Sequence, residues 1–299
     1  MARRTDPIEA MLDRHAADVG KLEGAEAGRF LSLLEEMRER LAGRLLHLGG
    51  EQGMDAFRLL QVQAETETAI RVLREKAGAS YGGILGRSRD LALEHTVDEI
   101  RRMTRMFDTA PLSVTIEAAR VFSDPMRGLL ANRFNTSVAR YGLDVLSKVQ
   151  NELFFAVRAG DPMRATVKRI TAPDGVLGGV AKSDAERLIR TETSEAYGVA
   201  QVRSIAEAKK ELPDLKKAWW KSSSYDCTQA CNALHGTERP IDGTWTVYAG
   251  TKRERKIPHP PAHSNCACRS LSSRPKWKKA LADLGYLVPG EPPAVAEAA

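Results

Sequence analysis

The stretch Phe30-Leu31-Ser32-Leu33-Leu34-Glu35-Glu36-Met37-Arg38-Glu39-Arg40-Leu41-Ala42-Gly43-Arg44-Leu45-Leu46-His47-Leu48 repeats its apolar residues at three- and four-residue steps: Phe30, Leu33, Leu34, Met37, Leu41, Leu45 and Leu48. That is the period of a helix with one buried stripe. Leu93, Val97, Ile100, Met103 and Phe107 repeat it further on, and Phe57, Leu60, Ala64, Ile70 and Leu73 mark a helix between the two. Gly49-Gly50, Gly78 and Gly82-Gly83 are the expected breaks. Upstream, Asp6-Pro7-Ile8-Glu9 supplies a cap, a proline at the first helical position and an acid three residues after the cap, so a helix is expected to start there. Downstream, Val114 to Phe122 and Met126 to Val157 keep helical composition until Gly160-Asp161-Pro162. Residues 1–170 therefore read as a helical bundle or an extended helical arm. Three or four clean heptads in succession are not present, which counts against a coiled coil.

Near Thr171 the texture changes. Ala172-Pro173-Asp174-Gly175-Val176-Leu177-Gly178-Gly179 reads as a loop or hinge, and Lys182-Ser183 after it invites comparison with a phosphate-binding loop. The comparison fails because Val176 and Ala181 stand where that spacing requires glycines. Ser183-Asp184-Ala185-Glu186 reads instead as a capping box for a helix with Leu188, Ile189, Ala196, Val199 and Ala200 on one face, joined by Glu192 and closed by Leu212-Pro213. Beyond it, Ala218-Trp219-Trp220-Lys221 and Thr244-Trp245-Thr246-Val247-Tyr248 have strand composition. The fold class is thus mainly α with a small α+β C-terminal lobe: a helical region at 1–170, a lobe at 171–272, and a short helix with a disordered tail at 273–299.

The chain has 299 residues, 42% apolar and 28% charged, with a formal charge of +6. This excludes collagen-like and wholly disordered classes. The N-terminus runs into charged residues without the apolar core of a secretion signal, and no apolar run is long enough to span a membrane. Charge is unevenly placed. Lys209 to Lys279 holds 15 basic and 6 acidic residues, a net of +9, against −3 for the remainder. Such a basic module can meet nucleic acid, an acidic protein surface or solvent. Lys252, Arg253, Arg255, Lys256 and Arg269 are its candidate phosphate contacts.

All four cysteines fall inside this module. Cys227 and Cys231, four apart, share one side of a helical turn; Cys266 and Cys268, two apart, share one face of an extended segment. Two such pairs, with 34 residues between them, could converge on one tetrahedral zinc ion, with His263 or His235 replacing a cysteine. Reduced buried thiols are the main alternative, and disulfides fit a chain without an export signal less well. Four protein ligands would close the site, making the zinc structural.

Arg190-Thr191-Glu192-Thr193, the Lys217–Lys221 segment with its tryptophans, Asp226-Cys227, Cys231, Leu234, Gly236 and the string Pro260-Pro261-Ala262-His263-Ser264-Asn265-Cys266-Ala267-Cys268 together resemble the phage head morphogenesis domain. This is the Mu F-like family of minor head, or minor capsid, proteins of tailed bacteriophages. The resemblance covers about Thr171 to Arg269. Three departures stand out: three residues rather than two inside the first cysteine pair, Ala267 at a usual arginine, and Gly198 at a frequent asparagine. The resemblance implies a structural, non-enzymatic virion component in the capsid interior near the portal vertex, present in the host cytoplasm during assembly. It further implies a part in head assembly and in DNA packaging or delivery. The implied partners are the portal protein, for which the helical region is the docking candidate, and the major capsid or scaffolding protein, with no membrane contact. Packaged double-stranded DNA would be met non-specifically through phosphates.

The competing readings are a metal-dependent nuclease or DNA-binding zinc module, since His263 and Asn265 beside a cysteine cluster are similar to His-Asn-His nucleases. No second histidine follows on a helix. A host-directed toxin is a third reading, weakened by the lack of a long extra C-terminal domain. Trp219, Trp220 and Trp245 are expected in the core, with base stacking as the alternative.

Overall fold

The structure is a computed structural model, and it describes residues 7–48, 56–108, 114–221, 228–248, 254–263 and 266–283. Helices dominate: α1 (Pro7–Leu48), α2 (Ala56–Phe107), α3 (Ala118–Val121), α4 (Asp124–Ala159), α5 (Met163–Thr171), α6 (Ala181–Ala208), α7 (Gln229–Leu234) and α8 (Pro275–Asp283). The strands are β1 (Lys216–Trp220), β2 (Glu238–Arg239), β3 (Trp245–Tyr248), β4 (Glu254–Ile257) and β5 (Arg269–Ser273). The mainly-α class with a small α+β C-terminal lobe is thus observed. Among the described residues no helix is long and apolar enough to cross a membrane.

Three local expectations are corrected. Gly78 and Gly82-Gly83 do not interrupt α2, which runs unbroken through them. Gly78 backs onto Asn135 of α4, where an added Cβ would sit 3.0 Å from the side-chain oxygen. Tertiary packing here outweighs the intrinsic cost of a helical glycine, about 1 kcal/mol. Ser183 does not cap α6: the helix opens at Ala181, directly after a π-helical turn at Val176–Val180. The segment from Val114 to Phe122 is helical only over the single turn of α3. The expected cap Asp6 lies outside the described residues.

The chain forms two compact units that do not follow a single cut near Thr171. One takes residues from Met1–Glu23, Ile84–Arg127 and Thr191–Ala299, the other from Gly24–Gly83 and Gly128–Arg190. The second unit is a helical bundle. Tyr81 stacks on Phe134 at 4.1 Å, Phe30 meets Tyr141 edge-on, and the Tyr141 hydroxyl donates to the Ala181 carbonyl at 2.9 Å. Arg38 donates to the carbonyl of Thr171, satisfying the C-terminal end of α5.

The first unit carries the lobe. β1 lies between β2 and β5 in an antiparallel sheet, with Ala218 opposite Leu271 and Trp219 opposite Ser270; β3 and β4 pair separately, Trp245 opposite Ile257. Successive side chains of β1 point to opposite faces. Ala218 and Trp220 join a core with Ile8, Met11, Ile100, Ile205 and Trp277. Trp219 joins a second core with Trp245, Val247, Ile257 and the cysteines. The three tryptophans are core, as expected, and are not available to stack on bases. α8 is fixed by Asp108, whose buried carboxylate accepts from Arg274 at 3.1 Å and from the Trp277 indole at 3.3 Å.

Buried polar groups tie these helices together. Glu99, fully buried, accepts from Gln201 at 3.2 Å and from the backbone and hydroxyl of Ser272 at 3.1 and 3.0 Å. His15 and His95 stack at 3.9 Å, nearly parallel, and His95 Nδ1 hydrogen-bonds the Tyr197 hydroxyl at 2.8 Å. Burial, then the neighbouring His15, pushes His95 down to about 3; Asp18, Asp98 and Arg269 also act on it.

Unfolded histidine takes its proton near pH 6.5, whereas folded His95 resists until about 3. The unfolded state therefore binds more protons across that window. Stability is expected to be full above pH 6.5 and to fall as pH is lowered, by up to about 1.4 kcal/mol per pH unit from this one group. Chemical denaturation between about pH 7 and 5, above most carboxylate titration, should show that slope, and His95→Phe should flatten it.

Candidate metal centre

The centre is assembled from three short pieces of the lobe. Thr228 caps α7, its side chain accepting from the Cys231 backbone N–H at 3.4 Å. This sets Cys231 on the first turn of the helix, facing inward. Cys266 and Cys268 arrive on the extended approach to β5, and His263 precedes them after Pro260-Pro261-Ala262. All three thiols are buried, and their sulfurs lie within 4.8 Å of one another. Cys231 Sγ is 3.8 Å from Cys266 Sγ and 3.2 Å from His263 Nε2. Cys227, the fourth expected cysteine, lies outside the described residues, as do Lys252 and Arg253.

The three cysteines are placed to hold a metal ion. A tetrahedral ion with zinc–sulfur bonds of about 2.3 Å sets its sulfurs about 3.8 Å apart, and an imidazole nitrogen about 3.5 Å from a sulfur. The Cys231–Cys266 distance meets the first figure, and the Cys231–His263 contact needs to open by only a few tenths of an ångström. Donor chemistry agrees, since three soft sulfurs and one imidazole suit zinc. His235, the other histidine considered, points elsewhere: its Nδ1 accepts from the Lys221 backbone and its ring packs edge-on against Trp220.

The thiols are electrically unequal. Hydrogen bonds from Cys231 and then Cys268 hold Cys266 well below the ordinary thiol range. Cys231 and Cys268 are pushed up, chiefly through the same contacts. The three thiols lie inside an apolar shell of Trp219, Trp245, Val247 and Ile257. Such a shell limits water access and strengthens electrostatic attraction for a cation.

Two residues hold this lobe to the helices of its own unit. Arg269, expected among the phosphate contacts, is corrected by the structure: it is 6% exposed. Its guanidinium donates to Cys268 O at 2.8 Å, Cys266 O at 3.4 Å, Ser194 Oγ at 3.2 Å and Glu23 Oε1 at 3.2 Å, and lies over the Tyr197 ring. The planar fork of arginine suits this task of binding several carbonyls and a carboxylate at once. Gly198 is the second. A Cβ there would stand 2.2 Å from Pro260 O and 2.8 Å from His259 Nδ1, so α6 and the His259-Pro260-Pro261 loop approach as closely as they do only because residue 198 has no side chain. Spacing rules pointed to neither role. The available signal for Gly198 was a lone glycine inside a strongly helical stretch, which often marks a close approach. Of the remaining basic candidates, Arg255 and Lys256 are exposed on β4. Glu192 on α6 is buried rather than solvated.

With this geometry in view, comparison with known proteins gives one family. Residues 147–271 match the family model described as Phage Mu protein F like protein. This part of the chain is similar to that family, and the likeness drawn from Thr171 to Arg269 holds and extends back into α4. No curated protein and no solved structure matches the chain.

Removing Arg269 takes one charged donor from Glu23 and from two cysteine carbonyls. Arg269→Met is expected to cost about 3 kcal/mol in equilibrium unfolding, the range for breaking one side of a buried pair. Gly198→Ala is expected to cost about 1–3 kcal/mol by overpacking against backbone. Urea denaturation of both variants checks the two values; a Gly198→Ala protein as stable as wild type would refute the close approach.

Proposed function

We propose that the protein is a structural head morphogenesis protein of a tailed bacteriophage, a minor head component in the capsid interior near the portal vertex. The observation that carries this is the convergence of Cys231, Cys266, Cys268 and His263 inside the segment that matches the Mu F-like family. Those four residues would hold one zinc ion, with Cys227 the alternative fourth ligand. A closed set of four protein ligands leaves no position for a reactive water, so the ion would supply folding energy to a lobe with little core of its own.

The partners follow from the same reading: the portal protein and the major capsid or scaffolding protein, with the N-terminal helices as docking elements. Packaged double-stranded DNA would be met through Arg255 and Lys256, joined by Lys252 and Arg253, as a salt-sensitive phosphate contact without base readout. The nuclease alternative is less well supported. Its essential histidine, His263, has Nε2 directed at Cys231 Sγ, which makes it a ligand before it is a base. During assembly the protein would reside in the host cytoplasm, and its work would lie in head assembly and in DNA packaging or delivery.

Zinc content by elemental analysis should be about one per chain. It should fall, together with the melting temperature, in Cys266→Ser/Cys268→Ser and in His263→Ala, while Cys227→Ser retains it. A metal-free wild type of unchanged stability would end the zinc assignment. Protein identification in purified particles and in assembly intermediates should find the chain at a few copies per head; absence from both would overturn the minor-head reading.

A further inference from the structure

Cys231, Cys266 and Cys268 are reduced and buried, with their sulfurs within 4.8 Å of one another. Three thiols allow three different disulfides, and the geometry separates them. Cys231 Sγ and Cys266 Sγ stand 3.8 Å apart on two different segments, the first turn of α7 and the approach to β5. A disulfide of about 2.05 Å asks them to close by about 1.8 Å, which rotation about the two Cα–Cβ bonds can supply.

The other two pairings are hindered. Cys266 and Cys268 are two residues apart on an extended segment, so their side chains stand side by side and do not face one another. Two rises of about 3.3 Å put their Cα atoms about 6.6 Å apart, at the far end of what a disulfide spans. Arg269 holds that spacing, because its guanidinium donates to the Cys266 carbonyl at 3.4 Å and to the Cys268 carbonyl at 2.8 Å. Drawing these two sulfurs together would bend the backbone that Arg269 pins. A bond between Cys231 and Cys268 lacks a starting point: both are fully buried, whereas Cys266 keeps 4% exposure. An oxidant therefore enters at Cys266, and the thiol facing it across the segments is Cys231.

We propose that Cys231 and Cys266 are a reversible redox pair, which hydrogen peroxide closes to a disulfide when no ion holds the centre. The Cys266 sulfur takes one oxygen as the peroxide O–O bond breaks, giving a sulfenic acid and one water. The Cys231 sulfur then attacks that sulfur; the S–O bond breaks, and the hydroxyl leaves with the Cys231 proton as a second water. Two thiols give up two electrons in all, and one peroxide becomes two waters. The new bond encloses 34 residues and fastens the same two segments that the ion would. A bound ion occupies the sulfur lone pairs, so ion and disulfide exclude each other. This exclusion rests on the zinc reading above, whereas the bond itself needs only the thiols. On the minor-head reading, a chain built in a reducing cytoplasm and carried into an oxidising medium would exchange one fastening for the other.

The test treats the full chain with a chelator, then with stoichiometric hydrogen peroxide, alkylates it and locates the cross-links by tandem mass spectrometry without reduction. The expected product joins Cys231 to Cys266, leaves Cys268 alkylated and reverts with dithiothreitol. Cys268→Ser should keep the cross-link; Cys231→Ser should lose it and leave Cys266 to oxidise further, to the sulfinic acid. The same treatment in urea gives the comparison, because short loops close most readily in an unfolded chain and Cys227–Cys231 or Cys266–Cys268 should replace the native pair. A native product that joins Cys266 to Cys268 or involves Cys227, the urea pattern without urea, or no disulfide at all would overturn the proposal. Loading with zinc before the peroxide separates the two readings. Oxidation slowed at least tenfold supports the exclusion, and a zinc-loaded chain that oxidises as fast as the metal-free one refutes it. A chain that takes up no zinc yet forms the Cys231–Cys266 bond ends the metal assignment and leaves the redox pair standing.

Discussion

Adjacent residues of a strand point to opposite faces, and in β1 both faces are loaded with tryptophan. Trp220 enters the core formed with α1, α2, α6 and α8, while Trp219 enters the core around the cysteines. One five-residue strand is therefore the shared wall of two cores, and its register decides both. A slip by one residue would exchange Trp219 with Trp220 and bring Lys217 to the helical side. The observed register is held by β5, whose Leu271 pairs with Ala218 on the helical face. It is also held by Lys217 itself. The ammonium of this fully buried lysine donates to Ile241 O at 2.7 Å and Pro258 O at 2.6 Å and lies over the Trp245 ring. A charge so placed makes sense only in one register, which is the best-attested use of buried ionic groups.

The same logic extends through the unit. Glu99 binds Gln201 and Ser272, His95 binds Tyr197, and Arg269 binds Glu23, Ser194 and the carbonyls of two cysteines. Apart from the two cysteine carbonyls, each contact joins residues far apart in sequence, and each would leave a desolvated polar group if its partner moved. Apolar packing holds the helices together, and the polar network determines how they are arranged. The cysteine cluster then sits where the two constraints meet. Cys266 and Cys268 lie immediately before Arg269, so the residue that anchors the lobe to α1 and α6 also orients the backbone carrying two of the three thiols.

This arrangement bears on function. A small lobe can keep its form if a bound metal ion and a buried arginine supply what a large apolar core would otherwise provide. Basic character remains on the surface at Arg255 and Lys256, while Arg269 and Lys217, counted in the +9 of the module, are turned inward. The charge available to a partner is accordingly smaller than the composition suggests.

Periodicity made the long helices visible, because a stripe at Phe30, Leu34, Met37, Leu41 and Leu45 has only one simple reading. The strand character of Trp219 and Trp245 and the pairing of the cysteines by spacing were legible for the same local reason. Motif order disclosed the likeness that the match over residues 147–271 bears out. Other features were decided by tertiary structure. Gly78 remains helical where α2 packs on Asn135 of α4, and α2 continues through the exposed Gly82 and Gly83. Arg269 and Lys217 are buried because distant carbonyls and a carboxylate converge on them, and no sequence spacing encodes that convergence. The fourth donor beside the cysteines depends on how the His259–His263 loop folds against α6, which requires the absent side chain of Gly198. Helical period and strand alternation are properties of adjacent residues and can be read directly; the depth and partner of a charged side chain depend on the whole packed unit.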